Sequence, residues 1–437
     1  MNTKVLKFGG TSVSDGDAVR RVAAIVAKDE TPRKLVVVSA QSGVTTTLLR
    51  AIAEPAALDA AVERWCNLAR ELGLCADVVD SFAEELRRDL QRKLPREQKA
   101  DLITSYGERV SAVIVSGYLR QVGLKAVAAD GRDIIVTDDN FGNARYDTTA
   151  TTGRAEEILL TLLAAGEIPV VTGFIGADTR GRTTTLGRGG SDLTATLLAA
   201  CLGADVVEIW TDADGVMSAD PRAVREAKLI ARLSYDEAVE LSNFGARVLF
   251  NKSLPPAIRA GLPVHVRNTF NPSSPGTVIA ADKAPANYAV TTKSNVRVAT
   301  VATPEMVGAV GFLARLFGIF ESFDLSVDVV SVSEASVSVT FNNFDDEREA
   351  DLLSALRGLG DADVKRNRSI VAVISRYLDE EQAIFPKIFG ALAEHGVDVE
   401  MISYGNREIN LTLIVDGARE RETLQFIHKL FEDNFRR

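Results

Sequence analysis

Residues 4–13 read K-V-L-K-F-G-G-T-S-V, and this stretch limits the possible folds more than any other. An apolar run of strand length meets two consecutive glycines and must turn there. With no side chain at Gly9 or Gly10, backbone N–H groups can come close to a phosphate and point at it. Lys7 supplies a mobile positive charge two residues earlier. Thr11 or Ser12 is suited to cap a following helix, whose N-terminus also favours an anion. The same residues would also make a ligand-free strand–turn–helix corner, and a short glycine motif alone does not separate the two.

The chain continues in the manner this start implies. Residues 5–8, 35–39, 124–129, 168–172, 206–210 and 264–266 are short apolar runs. Amphipathic segments such as 17–27 and 192–202 lie between them. This alternation predicts an α/β fold with a mostly parallel sheet covered by helices. Residues 51–99 break the pattern, being long, charged and helical in period. They are expected to form a helical insertion beside the active site or at a subunit contact. Turn residues crowd 268–277 (N-T-F-N-P-S-S-P-G-T), and 280–286 is again irregular, so a boundary is expected near 280.

Beyond that boundary the sequence repeats at an offset of 72. Phe317-Gly318 returns as Phe389-Gly390, S-V-D-V-V-S at 326–331 as D-V-E-M-I-S at 398–403, and V-S-V-T at 337–340 as I-N-L-T at 409–412. Each copy reads strand, helix, strand, strand, helix. The strands alternate apolar and polar residues, as expected of a sheet with one face under helices. Two α+β modules of βαββαβ type are predicted, at about 294–366 and 367–437. The second lacks a last strand, and residues 288–292 are expected to fill that place.

Bulk properties remove several function classes. The 437 residues suit two or three domains, and 46% hydrophobic content is enough for substantial cores. A net charge of −10 with no basic run argues against nucleic acid or an anionic membrane as partner. There is no signal-peptide pattern and no apolar run of about 18 residues. Cys66, Cys75 and Cys201 are sparse, and His265, His395 and His428 are scattered, so both sets read as structural. The composition fits a reducing cytoplasm.

No Walker-type or G-x-G-x-x-G motif occurs, so a phosphate site must be assembled from several segments. Residues 173–192 (G-F-I-G-A-D-T-R-G-R-T-T-T-L-G-R-G-G-S-D) are the strongest candidate. A polar loop of this length is seldom without function. Arg188 can form a bidentate pair with a carboxylate, Gly189 and Gly190 allow close backbone approach, and Ser191 and Asp192 can cap the next helix. Residues 39–45 and 244–249 are further candidates. Residues 210–222 carry Thr211, Asp212, Asp214 and Asp220, and read equally as a surface loop.

The set K-F-G-G-T-S, S-A-Q-S-G-V-T at 39–45, S-Y-G-E at 105–108, G-R-T-T-T-L-G-R-G-G-S-D, W-T-D-A-D-G at 210–215 and F-G-A-R-V-L at 244–249 resembles aspartate kinase. The match runs through nearly the whole chain, and the paired C-terminal modules resemble the ACT domains of that family. The resemblance implies an amino-acid-kinase catalytic domain over 1–280, with the insertion at about 51–100, and a regulatory region over 281–437. It implies transfer of the γ-phosphoryl of ATP, carried with Mg²⁺, to the β-carboxylate of L-aspartate. That step leads towards lysine, threonine and methionine. Lys7 and Asp192 would sit at the reacting groups, and Ser39, Thr45, Glu108, Arg188, Gly189, Gly190 and Ser191 would hold aspartate. Lys7, Gly9, Gly10, Ser12, Thr211, Asp212, Met217, Arg222, Arg247 and Val248 would hold the nucleotide.

Arg247 replaces a lysine of the family pattern, Met217 a tyrosine, and Asp214 stands where some relatives carry proline. In the first ACT module, Met306, Ala309, Phe312, Leu313, Ser326, Val327 and Asp328 match the positions that hold lysine in lysine-inhibited relatives. Ala309 stands in place of a serine. Pairing of ACT modules implies a homodimer or a dimer of dimers. The alternatives are a kinase of the same fold acting on another small acid, and a catalytically silent amino-acid sensor.

Overall fold

The structure, a computed structural model, describes residues 2–75, 77–244, 251–281, 288–342, 344–378, 384–405 and 409–431. It divides into two compact units. One comprises Met1–Val216, Leu229–Tyr235 and Arg247–Lys283. The other comprises Met217–Lys228, Asp236–Ala246 and Ala284–Arg437.

The strands of the first unit are β1 (Thr3–Phe8), β2 (Arg33–Val38), β3 (Ala126–Ala129), β4 (Val136–Thr137), β5 (Ile168–Thr172), β6 (Ile175–Asp178), β7 (Thr183–Thr185), β8 (Val206–Thr211), β9 (Arg232–Ser234), β10 (Val264–Asn268) and β11 (Thr277–Ala280). Eight of them form one sheet in the order β3-β5-β2-β1-β8-β10-β11-β9, with β10–β11 its antiparallel pair. The central strands are continuous apolar runs because both faces are covered. Val5, Leu6 and Phe8, like Leu35 to Val38, are fully buried.

From β1 the chain crosses first to β2 on one side, and β8 later fills the other side. The strand order thus reverses at β1, and in such sheets the crevice beyond the carboxyl ends of the strands is the usual ligand site. The turn after β1, the loop after β2 and Thr211–Asp212 after β8 all open there.

The helical insertion consists of Ala57–Glu71 and Asp77–Leu90, followed by the 26-residue helix Arg96–Gln121. That last helix is buried on nearly every side from Asp101 to Ser116. The insertion is what covers it. Trp65, Leu86 and Tyr106 lie in one apolar cluster. The Arg109 guanidinium stacks 4.6 Å from the Tyr106 ring and 5.2 Å from the Phe82 ring, and pairs with Glu85 at 3.0 Å. A small second sheet, β4-β6-β7, is tied to the same helix by buried Asp101. Its carboxylate accepts the amides of Gly142 and Thr185 at 2.9 Å and the Thr185 hydroxyl at 2.7 Å.

Two expected helix caps are corrected. Residues Gly10–Val13 form a tight 3₁₀ turn, so the helix Gly16–Lys28 starts later than Thr11 or Ser12 would place it. Asp15 caps it, accepting the Ala18 amide at 2.9 Å. The helix Gly190–Cys201 begins on Gly189 in the left-handed region, φ 76°, and Ser191 and Asp192 fall inside its first turn.

In the second unit β12 (Ala289–Ala302), β13 (Val327–Val332), β14 (Ser336–Phe341), β15 (Asp361–Ile374), β16 (Met401–Ser403) and β17 (Asn410–Asp416) form one sheet, ordered β13-β14-β12-β15-β17-β16. β12 and β15 occupy the same positions in the two repeats, as do the helices Phe312–Ser322 and Ile384–Glu394. Residues 288–292 enter β12, where Ala289–Lys293 pairs with Ile370–Ile374. Tyr288 stacks on Phe431, ring centres 4.5 Å apart.

Trp65 tests how firmly the insertion belongs to the core. Trp65→Ala should lower stability by about 3–5 kcal/mol, read from the urea midpoint. A loss below about 1 kcal/mol would show that the insertion is not part of the cooperative core.

Candidate active site

β1 delivers Lys7, the loop after β2 delivers Ser39, and the first turn of the helix Val44–Ala53 delivers Thr45. The buried helix delivers Glu108, and the start of helix Gly190–Cys201 delivers Arg188 to Asp192. Together with Phe174 and Gly187 these residues line one cavity of about 200 Å³ beyond the carboxyl ends of the central strands. Four segments far apart in sequence therefore converge, as the sequence reading required.

Lys7 and Asp192 are 8% and 4% exposed, and Lys7 Nζ lies 2.5 Å from Asp192 Oδ1. The cation that faces the cavity is thus already balanced by a carboxylate. That carboxylate lies in the first turn of a twelve-residue helix, where the helix dipole favours negative charge. Arg188 stands exposed at the rim, between two left-handed glycines, Gly187 and Gly189.

Glu108 is 3% exposed. The Ala40 amide donates to Oε1 at 3.1 Å, while Oε2 has no hydrogen-bond partner among the described residues. Burial pushes its carboxyl up to about 8, so near neutrality it holds a proton that an ordinary glutamate would have lost. A ligand ammonium at Oε2 would restore the ionised form and be held by it. The group is therefore poised to bind a cation.

The turn glycines do more than leave room for a ligand. A Cβ on Gly10 would lie 2.7 Å from the Ala40 carbonyl oxygen, so Gly10 is needed for the β2 loop to close on the β1 turn. Gly9 donates its amide to the Trp210 carbonyl at 3.1 Å. Ser12 is fully buried, and its hydroxyl is bonded to Thr269 Oγ1 at 2.7 Å. The Thr211 hydroxyl donates to Asp212 at 3.1 Å beyond the end of β8. Asp214 accepts the side-chain amides of Asn268 at 2.8 Å and Asn271 at 3.1 Å. Met217 and Arg222 belong to the second unit, where Arg222 pairs with Asp220 at 2.6 Å. Arg247 and Val248 lie outside the described residues.

Sequence reasoning missed Phe174, Ala40 and Asp101. Phe174 forms a wall of the cavity with φ 69°, unusual for a bulky residue. A Cβ on Gly190 would come within 2.8 Å of its ring. The dense run of polar residues around Phe174 drew attention away from it. Ala40 acts through its backbone, which no residue-type rule marks.

Within the second unit, Phe312 is buried, Met306, Ala309, Val327 and Asp328 are half-buried, and Leu313 and Ser326 are exposed. Asp328 is paired with Lys293 at 2.7 Å.

A buried cation–carboxylate pair and a second buried carboxyl, at the switch point of a parallel sheet, define a site for small anionic and zwitterionic ligands. The amino acid kinase family model matches residues 2–268, and an ACT domain model matches 371–431. The fold is that of an amino acid kinase carrying ACT modules. Lysine-sensitive aspartokinase 3 of Escherichia coli is 35% identical, covering 98% of this chain and 99% of that protein. Chloroplastic aspartokinase 1 of Arabidopsis thaliana is 33% identical, covering 98% and 80%. The crystal structure of E. coli aspartokinase III with aspartate and ADP superposes with a TM-score of 0.87 at 32% identity, covering 98% and 99%. The chain belongs to the aspartokinase family.

Two predictions arise from this geometry. Glu108 binds its proton more tightly folded than unfolded. Its effect on stability is therefore complete below about pH 4.5, falls as pH rises, and levels off above about 8. Glu108→Gln should gain stability relative to the parent across that window, and identical denaturation profiles at pH 5 and 8 would contradict this. Gly10→Ala should raise the KM for both substrates and lower stability by about 1–3 kcal/mol through the clash with Ala40. An unperturbed melting temperature would show that the two loops do not need to close.

Proposed function

We propose that the chain transfers the γ-phosphoryl group of ATP to the β-carboxylate of L-aspartate, giving 4-phospho-L-aspartate. The observation that carries this is the single cavity that unites Lys7, Asp192, Glu108 and Arg188. Arg188 suits the α-carboxylate and Glu108 the α-ammonium, while Ser39, Thr45, Ser191 and the amides of Gly189 and Gly190 complete the cradle. The attacking carboxylate is ionised at neutral pH, so no general base is required. The work lies in bringing two anions together and stabilising charge in transfer.

Lys7 does this by exchanging Asp192 for the transferred phosphoryl, next to the amides that open helix Gly190–Cys201. Asp192 both balances Lys7 before substrates arrive and orients it afterwards. Gly10, Thr211 and Asp212, with Arg247 and Val248, are proposed for the nucleotide on the first unit, while the Gly9 amide and the buried Ser12 hydroxyl, already bonded to Trp210 and Thr269, shape the turn beside it. Mg²⁺ enters as part of the ATP complex, where it spreads the charge of the phosphates. Among the described residues there is no cluster of three metal-ligating side chains.

The regulatory reading follows from the second unit. We infer that the ACT modules, about 294–366 and 367–437 with 287–292 completing the second, take an amino-acid effector. L-Lysine is the favoured one, at Met306, Ala309, Phe312, Leu313, Ser326, Val327 and Asp328. Pairing of these modules would give a homodimer or a dimer of dimers. The step would open lysine, threonine and methionine synthesis in the cytoplasm. No described helix is long and apolar enough to cross a membrane.

An ATP-dependent hydroxamate assay with L-aspartate, L-glutamate and carbamate tests the reaction. Turnover confined to aspartate is expected; turnover on another acid, or none, would favour the alternatives. Lys7→Ala should lower kcat by about 10²–10³-fold with a smaller change in the KM for aspartate, since its contact strengthens in the transition state. A change confined to KM would remove Lys7 from that role.

A further inference from the structure

Asp328 lies on β13, and Lys293 on β12 reaches it with Nζ 2.8 Å from Oδ1 and 2.7 Å from Oδ2. Both side chains are largely covered, at 23% and 19% exposure. Lys293 is the last residue of β12 in register with β15 before the pairing shifts between Lys293 and Val296. Its neighbour Thr292 gives its hydroxyl to Glu420 at 2.9 Å, and successive strand residues face opposite ways. Lys293 is therefore directed away from Glu420 and onto Asp328.

The chain thus places an ammonium of its own on a carboxylate of the proposed lysine site, the one suited to the side-chain ammonium of free lysine. We propose that Lys293 is a tethered competitor for the Asp328 subsite, and that it sets the concentration of lysine needed for inhibition. This inference rests on the reading of the first ACT module as the lysine site. The tether keeps the Lys293 ammonium at high local concentration, whereas free lysine must supply its own. A carboxylate can accept several donors, but a second cation here would meet a like charge beside a carboxylate already neutralised. Free lysine must therefore displace Lys293 or bind against its repulsion, and either route weakens it. An effector without a side-chain ammonium would not meet this competitor.

The test is inhibition of aspartate-dependent ATP turnover by L-lysine in the full-length parent, Lys293→Met, Lys293→Gln, Lys293→Arg and Asp328→Ala. Each is scaled to its own uninhibited rate and checked for folding by circular dichroism. The neutral variants at 293 should need about two- to fivefold less lysine for half-inhibition, the scale of a partly exposed ion pair. The arginine variant should behave as the parent, and Asp328→Ala should lose the response. A parent insensitive to lysine whose methionine and glutamine variants become sensitive would support the proposal in its strongest form. An unchanged half-inhibitory concentration in both neutral variants, with Asp328→Ala insensitive, would overturn the competitor alone. Parent-like inhibition of Asp328→Ala, or insensitivity of all variants, would overturn the siting of lysine itself.

Discussion

A carboxyl group buried with one of its two oxygens unmatched is the constraint on which the catalytic unit is built. Glu108 sits at the middle of a helix covered on nearly all sides, and the Ala40 amide satisfies Oε1 alone. Leaving Oε2 without a partner away from water is costly, and the rise of its pKa to about 8 expresses that cost. The fold tolerates it because the helix is held from all directions. Trp65 and Leu86 of the insertion cover it from one side, and Asp101 fastens the small sheet to it. The insertion, which interrupts the strand–helix alternation, is therefore part of the machinery that keeps Glu108 dry.

The same logic governs the opposite sign of charge. Lys7 could not remain buried and charged on the central strand without Asp192, and Asp192 is supported by the start of its helix. The cavity thus holds one ion pair, one carboxyl close to neutral, and a guanidinium, Arg188, at the rim. Two anionic substrates entering such a site can rearrange existing pairs without requiring a bare lysine beforehand. Gly10 couples the two halves, because only without its side chain can the Ala40 loop sit against the β1 turn and still present its amide to Glu108.

The parts of this arrangement that depend on residue type and period were legible in the sequence. Strands buried on both faces are continuous apolar runs, so β1, β2, β5 and β8 could be read within a residue or two, and the repeat marked the second sheet. The polar loop before Asp192 identified itself by its cost as a plain loop. Features that depend on shape or backbone were not legible. In T-S-V-S-D, four residues can cap a helix, and only the intervening 3₁₀ turn selects Asp15. Gly189 displaces Ser191 and Asp192 as the start of the next helix for a similar reason, its left-handed conformation. Phe174 acts as a wall and Ala40 through an amide, and neither carries a chemical signature. The Lys293–Asp328 pair joins residues on two strands that are not neighbours in the sheet, a contact that strand periodicity cannot reveal.

The second sheet shows how a repeat can become one body. β12 and β15 are long enough to serve both repeats, with Ala289–Lys293 of β12 paired to Ile370–Ile374 and its later part, to Ala302, paired back to Asp361. The register shifts at the midpoint of β12, beside left-handed Asn295, so the two halves of the strand need not keep the same twist. The second module therefore completes its half of the sheet with Ala289–Lys293, a strand that precedes the first module in the chain. Lys293 stands at that junction, on the half-strand that serves the second module, while its partner Asp328 belongs to the first. An ion pair placed there links the two repeats through a side chain where the backbone pairing is interrupted.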